Sequence, residues 1–407
     1  MSDNYITGLD IGASNIKAAV GQVNEDGRIS VLRVFKSPSA GIRKGMIDDF
    51  SEVTKSLSHI FNEIKNFSRH AVKNIYVNIE SADIHTQFSR GIVAVSRADL
   101  EIHKDDIDRA VQASQSVKLA ANRTVLHAII KEFIVDGIGD IRDPLGMIGN
   151  RLEVNSLIID VFDPAIKNLT KCVESAGGIV SGLIFSPLAS ARSVLSKNQK
   201  DLGVVLVDIG FSTTGICVYE ENKLIHAAVL PVGSGNITND LAIVLKTSVT
   251  AAEAVKLSFG TALAKEVSGK EIIDLRKIDS NAKNTTTKKR VAEIIETRLA
   301  EIFEFVNDEL EGIDKAGQLP AGVVLVGGGS KIANIVDLAK RELKLPAQIG
   351  IPETTSLEIA SGEINLQVED PELSCATGLM IWGSEKSFTR GEDLKGWFGK
   401  IINSLKP

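Results

Sequence analysis

The chain has few cysteines, few aromatic residues and no long apolar run. Three cysteines, Cys172, Cys217 and Cys375, are spread over 407 residues with no CxxC or Cys/His spacing, so neither a disulfide framework nor a zinc site is expected. No stretch reaches the 18 or so consecutive apolar residues of a membrane span. Residues 1–20 lack the basic and apolar regions of a signal peptide. We therefore expect a protein of a reducing cytoplasm, any membrane contact of which is peripheral.

Basic residues are fewer than acidic residues. The chain has 46 basic and 52 acidic residues, for a net charge of -6, which excludes an overall basic surface for nucleic acid. Glycine, by contrast, is plentiful, with 34 residues against 10 prolines, and indicates tight turns or a ligand contacted by backbone. At roughly 150 residues per domain, the length predicts two or three domains.

The most informative pattern is an internal repeat with a spacing of roughly 200 residues. Asp10-Ile11-Gly12-Ala13-Ser14 returns as Asp208-Ile209-Gly210-Phe211-Ser212, each time after an apolar strand and before two further strands. Three-stranded antiparallel meanders are therefore predicted at residues 5–35 and 203–230. The chain should be an α/β protein of two related lobes.

Periodicity predicts the remaining elements. Between the two halves of the first lobe, residues 83–160 read as a small α+β insert, and residues 279–289 read as an exposed loop. The predicted helices are 50–64, 104–117, 164–176, 187–195, 289–311, 331–343 and 375–382, and the other predicted strands are 75–79, 88–95, 125–135, 151–162, 179–185 and 322–326.

The two glycine turns suit polyphosphate binding. A glycine turn presents backbone N–H groups to an anion without an obstructing Cβ. Asp10 and Asp208 could hold the waters of a phosphate-bound Mg²⁺, and Lys17 would neutralise phosphate charge. Asp208 is also the candidate catalytic residue. The other residues of the two predicted phosphate sites are Gly12, Ala13, Ser14, Asn15, Gly210, Phe211, Ser212 and Thr213. A single copy could be a plain β-turn, but two matched copies argue against that.

Two further segments carry candidate nucleotide contacts. Gly327, Gly328, Gly329 and Ser330 follow an apolar strand and are predicted to open a helix, whose N-terminus would favour a phosphate; a plain connection is the alternative. Glu253 and Lys256 lie one helical turn apart and could face a ribose. Thr250 to Glu253 also reads as a capping box, so a purely structural role for Glu253 stays open.

These motifs resemble the actin-like ATPase superfamily and, more narrowly, the FtsA family of bacterial division proteins. The narrower resemblance rests on residues 230–240, 253–256 and 376–379, on Leu188 to Arg192, and on insert motifs at 123–127 and 143–147. It implies an actin-like, ribonuclease H-like two-lobed ATPase fold that binds ATP and Mg²⁺, with Gly233 and Ile332 among the nucleotide contacts.

The resemblance also implies a division into domains. These are a first lobe at 1–82 and 161–197 (1A), the insert at 83–160 (1C), a second lobe at 198–236 and 315–383 (2A), its small subdomain at 237–314 (2B), a linker at 384–394 and a terminal helix at 395–407.

By the same resemblance, the protein polymerises with itself at the cytoplasmic face of the membrane and works with other division proteins. The 2B subdomain would receive the acidic C-terminal peptide of FtsZ, with Lys288 and Arg298 as pairing residues. Two other functions remain open: a small-molecule kinase of the same fold, which would need a third carboxylate motif that the sequence does not display, and a pilus-assembly relative.

Residues 185–187 predict slow turnover. Many filament-forming relatives carry a glutamate at this place to orient the attacking water, but the sequence here is Phe185-Ser186-Pro187. We therefore expect tight ATP binding with slow or negligible hydrolysis.

The C-terminus departs from the average charge of the chain. At 100° per residue its five large apolar side chains fall within an arc of about 140°, the lysines lie outside it, and no acid follows Asp393. This pattern predicts an amphipathic helix on anionic lipid, or alternatively a helix docked on the protein's own core. The apolar residues are Trp397, Phe398, Ile401, Ile402 and Leu405, and the lysines are Lys395, Lys400 and Lys406.

Overall fold

The computed structural model describes residues 4–24, 28–279, 285–354 and 357–388. Most of the predicted turn at 24–27, part of the predicted loop at 279–289, and the predicted C-terminal helix at 395–407 lie outside these ranges. Within them, no helix combines the length and the apolar character that a membrane span requires.

The described residues form helices and strands that follow one another in short runs along the chain. The helices are α1 (Phe50–Phe67), α2 (Lys104–Gln115), α3 (Asp163–Ser175), α4 (Ser186–Val194), α5 (Lys197–Leu202), α6 (Ser234–Leu245), α7 (Val249–Phe259), α8 (Lys288–Glu311), α9 (Ile335–Leu343), α10 (Gly362–Val368) and α11 (Ser374–Phe388). The strands are β1 (Tyr5–Ile11), β2 (Asn15–Val23), β3 (Ile29–Pro38), β4 (Ile42–Arg43), β5 (Met46–Ile47), β6 (Ile75–Ile79), β7 (His85–Ala94), β8 (Arg123–Val135), β9 (Ile138–Ile141), β10 (Arg151–Phe162), β11 (Val180–Phe185), β12 (Val204–Ile209), β13 (Thr214–Glu220), β14 (Lys223–Leu230), β15 (Ile272–Asp274), β16 (Thr285–Thr287), β17 (Val323–Val326), β18 (Ala347–Ile349) and β19 (Leu357–Ile359).

The first lobe is built on a sheet in the order β11-β6-β1-β2-β3-β19. Strands β1, β2 and β3 form the predicted antiparallel meander, whose register puts Asp10 opposite Lys17. Strands β6 and β11 run parallel to β1, so the carboxyl ends of β1, β6 and β11 meet at one edge. The buried face of α1, which includes Leu57 and Phe61, packs on this sheet.

The second lobe repeats this arrangement. Its sheet has the order β14-β13-β12-β17-β18, with β12, β13 and β14 as the antiparallel meander and β17 parallel to β12. Asp208 lies opposite Gly215, in the place that the Asp10–Lys17 pair takes in the first lobe. The predicted repeat is therefore confirmed at the level of strand order and direction.

The predicted α+β insert is a separate sheet in the order β7-β10-β8-β9, with α2 packed on it around Ala110, Val111 and Leu152. The pattern found three of its strands but not β9. This strand has only four residues and follows Asp136-Gly137, both at positive φ, so it is too short for a period to emerge.

The end of the chain corrects two predictions. The resemblance places residues 357–383 in the second lobe, but residues 357–388 return to the first: β19 pairs with β3, and α11 packs against the elements of that sheet. The predicted linker from residue 384 also begins too early, because α11 continues through Phe388. Close packing holds α11 in the first lobe. A Cβ on Gly378 would overlap the carbonyl of Ala189, and Gly383 lies against the ring of Tyr76.

The predicted helix 331–343 is also corrected. Gly328–Lys331 form a single 3₁₀ turn, and α9 begins only at Ile335, because Asn334 has a left-handed backbone with φ 62°. The glycine turn therefore does not open directly into an α-helix, and the predicted contribution of a helix N-terminus is lost.

Candidate functional site

The two glycine turns have the same local geometry. Gly12 N donates to the carbonyl of Asn15 at 3.2 Å, and Gly210 N donates to the carbonyl of Thr213 at 2.9 Å. In each turn the bond closes a loop of four residues just after an aspartate. The repeat that is visible in the sequence is thus a repeat of backbone conformation.

Helix α4 connects the two turns. Ser186 Oγ accepts from Asn78 Nδ2 at 3.2 Å, and the same amide donates to Asp10 Oδ1 at 2.9 Å. One helical turn later, Ser190 Oγ donates to Asp208 Oδ2 at 2.7 Å. The two repeat aspartates, which are distant in sequence, are therefore tied to one short buried helix between the lobes.

Lys17 and the two aspartates form a charged cluster. Lys17 Nζ lies 2.7 Å from Asp10 Oδ2 and donates to the carbonyl of Glu372 at 3.0 Å. Burial opposes the charge of Lys17, but Asp10 outweighs burial, so the pKa of this ammonium is raised. Burial together with the Asp10 charge raises the pKa of Asp208 to about 6. One positive and two acidic groups thus share a cleft. A cation or phosphate bound there would change the pKa values of these groups.

The third glycine turn lies beside the second. Strands β12 and β17 are neighbours, and a Cβ on Gly327 would lie 2.7 Å from the carbonyl oxygen of Ile209. Gly328 is exposed, whereas Ser330 is buried with its Oγ donating to the carbonyl of Gly327 at 2.7 Å. Ser330 therefore closes its own turn, and Gly328 presents backbone at the surface.

Residues 233–236 brace the second turn. Ser234 N donates to the carbonyl of Gly210 at 2.9 Å, and Gly235 N donates to that of Phe211 at 2.7 Å. The approach is so close that a Cβ on Gly233 would lie 2.7 Å from the Phe211 carbonyl oxygen. Gly233 therefore shapes the turn around Phe211.

Glu253 and Lys256 are engaged within the second lobe. Lys256 Nζ lies 2.8 Å from Glu253 Oε2, donates to Thr238 Oγ1 at 2.9 Å, and sits 5.5 Å from the centre of the Phe211 ring. Burial lowers the pKa of Lys256, against the effect of Glu253. The predicted capping box at 250–253 is not formed, because Ser248 caps α7 and Thr250 lies inside the helix; Glu253 instead contacts Lys256 within the lobe. Ile332 packs at the margin of the second-lobe core.

The sequence reading missed Asn78 and Glu80. Asn78 is the penultimate residue of β6 and Glu80 follows the strand, beside β1 and β11, so both reach the edge where Asp10 and Ser186 lie. Two polar residues at the end of an apolar strand that runs parallel to the strand of Asp10 were the available signal. Glu80 is remote in sequence from the segment 185–187, and only the fold brings it next to Ser186.

Glu80 carries the largest pKa shift among the acids of this cluster. Burial and the neighbouring Asp208 charge raise its pKa to about 8, although the Thr213 and Ser186 hydroxyls favour the ionised form. Without ligand, this carboxyl group is therefore mostly protonated at neutral pH.

A pH-dependent stability follows from this shift. Because the folded pKa lies above the usual value of 4.5, the carboxyl favours folding least when it must ionise, so its contribution to stability falls as pH rises from about 4.5 through about 8. We expect Glu80→Gln to have nearly the same unfolding free energy as the parent at pH 5. At pH 9 the unfolding free energy of the variant should be higher by a few kcal/mol. Thermal melts at both values check this, and an equal difference at both would contradict it.

Lys288 and Arg298, the predicted partner-binding residues, both have acidic neighbours in the chain. Lys288 Nζ lies 3.3 Å from Glu271, and Arg298 holds Asp240 through two bonds of 2.6 and 3.0 Å and also contacts Glu301. Between α8 and α9 there is also a groove of about 770 Å³ with five glutamates in its lining. An acidic peptide would have to displace Asp240 to reach Arg298. Lys288 is the more accessible of the two.

The comparisons with families agree with this architecture. The family "Cell division protein FtsA" matches residues 205–378, and the family "SHS2 domain inserted in FTSA" matches residues 81–160. The second match covers the insert sheet.

Comparisons with whole proteins extend over nearly the full length. The chain is similar to "Cell division protein FtsA" of Pseudomonas aeruginosa, with 34% identity over 95% of this chain and 90% of that protein. The protein of the same description in Bacillus subtilis is 34% identical over 97% of this chain and 87% of its own length.

Solved structures of lower identity share the fold. A structure described as the PilM-PilN type IV pilus biogenesis complex has a TM-score of 0.67 at 17% identity, and the match covers 93% of this chain and 98% of that one. MreB 5 of Spiroplasma citri bound to AMPPNP has a TM-score of 0.57 at 15% identity, covering 96% and 99%. The predicted actin-like fold is therefore confirmed.

Proposed function

Because this chain belongs to the FtsA family of cell division proteins, we propose that it binds ATP between its lobes, polymerises at the inner face of the cytoplasmic membrane and anchors the FtsZ ring there. The observation that carries the nucleotide site is the matched pair of glycine turns tied to one helix, α4. Nucleotide in the related MreB 5 structure supports the same use of the fold.

The proposed nucleotide contacts follow the three turns. The backbone of Gly12 to Asn15 and of Gly210 to Thr213 would hold the phosphates, with Lys17 as the cation, and the exposed Gly328 would approach the adenosine. Three other residues would stabilise these turns through contacts within the protein. Ser330 bonds to the carbonyl of Gly327, Lys256 lies over the Phe211 ring, and Glu253 pairs with Lys256. Lys17 would offset part of the phosphate charge.

Mg²⁺ fits the cluster better at Asp208 than at Asp10. Both oxygens of Asp10 are engaged, by Asn78 and by Lys17, whereas Asp208 uses Oδ2 for Ser190 and keeps Oδ1 towards the glycine turn at 327. We propose that Asp208 accepts hydrogen bonds from the waters of the metal, which neutralises phosphate charge when it is bound. In the ion's presence the pKa of Asp208 would fall.

The remaining parts of the proposal concern partners. The C-terminal residues 395–407 would bind anionic lipid, and polymerisation would present many such anchors at once. The FtsZ peptide would meet the second lobe near Lys288. Family membership favours this function over the kinase and pilus-assembly alternatives, because the similar structure of pilus type shares the fold at only 17% identity.

A three-component reconstitution tests the proposal. We expect FtsZ polymers to co-sediment with anionic vesicles only when this protein and Mg-ATP are both present. If the protein binds the vesicles but does not bring FtsZ to them, the proposal that it anchors FtsZ to the membrane is wrong.

The partner site has its own test. Lys288→Glu is expected to weaken binding of the FtsZ C-terminal peptide by about tenfold, the scale of one lost charge-assisted contact, as measured by fluorescence anisotropy. Lys289→Glu makes the same charge change one residue later and is the matched control. Equal weakening by both variants would mean that only net charge matters, and no weakening would place the peptide elsewhere.

A further inference from the structure

A short segment just before α11 is held by the first lobe. It consists of Asp370 and the 3₁₀ turn Pro371–Leu373. Lys17 Nζ donates to the carbonyl of Glu372 at 3.0 Å, and Lys36 Nζ lies 2.6 Å from Glu372 Oε1. Because Lys17 and Lys36 are register partners on β2 and β3, two neighbouring strands of the first-lobe sheet fix this segment.

The same segment contacts the third glycine turn of the second lobe. Gly327 N donates to the carbonyl of Pro371 at 3.0 Å. Lys331, which ends the 3₁₀ turn after Gly327, contacts Asp370 Oδ2, and its Nζ lies 3.8 Å from Glu372 Oε1. We call Lys331, Asp370 and Glu372 the cleft latch, because one charge of the second lobe is paired there with two charges of the first.

The cleft latch borders the proposed nucleotide site. A Cβ on the exposed Gly328 would lie 3.9 Å from Glu372 Oε2, and Gly328 is the residue proposed to approach the adenosine. Lys17, the proposed phosphate cation, contacts both Asp10 and the carbonyl of Glu372. Separation of the lobes at this place would therefore change access to the nucleotide.

The latch is also the weaker of two connections between the lobes. Ser190 and Asp208, which join α4 to the second glycine turn, are both buried, whereas the side chains of Lys331 and Asp370 are 46% and 27% exposed. Water and salt compete with exposed ion pairs far more than with buried hydrogen bonds. We therefore expect the lobes to part at the latch while the bonds of α4 persist.

We propose that the cleft latch regulates nucleotide exchange, so that nucleotide enters and leaves after Lys331 has separated from Asp370 and Glu372. The inference rests on the proposed nucleotide site and adds its regulation. All bonds of the latch join protein groups, so the latch can form with or without nucleotide and then slows entry and exit alike. A restraint of equal strength in both states changes the rates but not the affinity.

Stopped-flow fluorescence of a labelled ATP analogue with Mg²⁺ tests the latch on the full chain. We expect Lys331→Gln to raise the association and dissociation rate constants together by about fivefold, the scale of a partly exposed ion-pair network. The Kd should stay within about twofold of the parent. Lys331→Arg keeps the charge and should exchange nucleotide nearly as slowly as the parent.

A lysine of similar exposure in the same lobe is the matched control. Lys340 pairs with Asp337 inside α9, so Lys340→Gln removes one charge without touching the latch and should behave as the parent. High salt should speed exchange in the parent and in Lys340→Gln, but much less in Lys331→Gln, which has no latch to screen.

A variant on the other side of the latch checks that the bond is shared. Asp370→Asn keeps the oxygen that accepts from Glu372 N and loses the charge opposite Lys331. We expect it to speed exchange as well, and the double variant with Lys331→Gln to show less than the product of the two single effects. Independent, fully multiplicative effects would contradict a shared bond.

Two results on Lys331→Gln would overturn the latch. One is parental rate constants. The other is a weaker Kd caused by faster dissociation alone, which would make Lys331 a direct nucleotide contact. A parent that does not bind the analogue would overturn the proposed nucleotide site itself, and an equilibrium titration of the parent reports this separately. Thermal melts of each variant confirm that the compared proteins are folded.

Discussion

Replacing Gly327 with valine is expected to lower nucleotide affinity by at least 100-fold while leaving a folded chain of reduced stability. Gly327 has φ 83° and ψ 170°, a region that is essentially limited to glycine and costs about 1–3 kcal/mol in other residues. A Cβ there would also overlap Asp208 Oδ1 and lie 2.7 Å from the Ile209 carbonyl oxygen. The side chain would therefore displace the aspartate and the second glycine turn together.

A second glycine provides the control for backbone strain. Gly317 has φ 67°, and a Cβ at that position would meet no atom within 4 Å. Gly317→Val should therefore share much of the strain but keep nucleotide affinity. Anisotropy of a labelled ATP analogue, with melts of both variants, measures the two effects. Parental affinity in Gly327→Val would mean that the third turn and Asp208 do not contribute to the nucleotide site.

Phe398→Asp with Ile401→Asp is expected to abolish binding to anionic vesicles. Each buried apolar side chain contributes about 1.5–3 kcal/mol, so the loss of two corresponds to roughly 100-fold to 10,000-fold in affinity. The residues lie outside the described ranges, and the prediction rests on their positions within one apolar arc of about 140°.

The control for this pair adds the same charge to the other face. Gly399→Asp with Asn403→Asp places two aspartates outside the apolar arc, so repulsion from anionic lipid is matched and the apolar loss is not. We expect the control to bind more weakly than the parent but measurably, with a salt-dependent deficit. Equal loss in both pairs would indicate attachment by charge alone.

Local patterns predicted a large part of this fold. The two meanders were readable because each strand is bounded by turn residues and because the second copy repeats the first. The 24-residue helix α8 was readable from its period. The return of residues 357–388 to the first lobe was not, because β19 has three residues and the fit of α11 depends on the contact of Gly378 with Ala189. Such a contact joins segments that no short-range pattern connects.

The candidate site likewise contains residues that local patterns predict and residues that depend on long-range contacts. The sequence singles out Asp10, Gly12, Asp208 and Gly210 because they belong to a repeated motif, and their contacts with nucleotide stay a prediction. The motifs also predict ligand contacts for Ser330 and Lys256, and in the structure both side chains bond to other groups of the protein. Glu80 was missed because its environment depends on burial and on Asp208 of the other lobe.

The attachment of both aspartates to α4 has a consequence for motion. Ser186 and Ser190 are four residues apart on a rigid helix, and hence about 6 Å apart along its axis. Asn78 links Ser186 to Asp10, and Ser190 holds Asp208 directly, so the two aspartates keep nearly the same separation along this axis while these bonds persist. An opening of the cleft that preserves the bonds would therefore tilt the two phosphate turns more than it separates their aspartates.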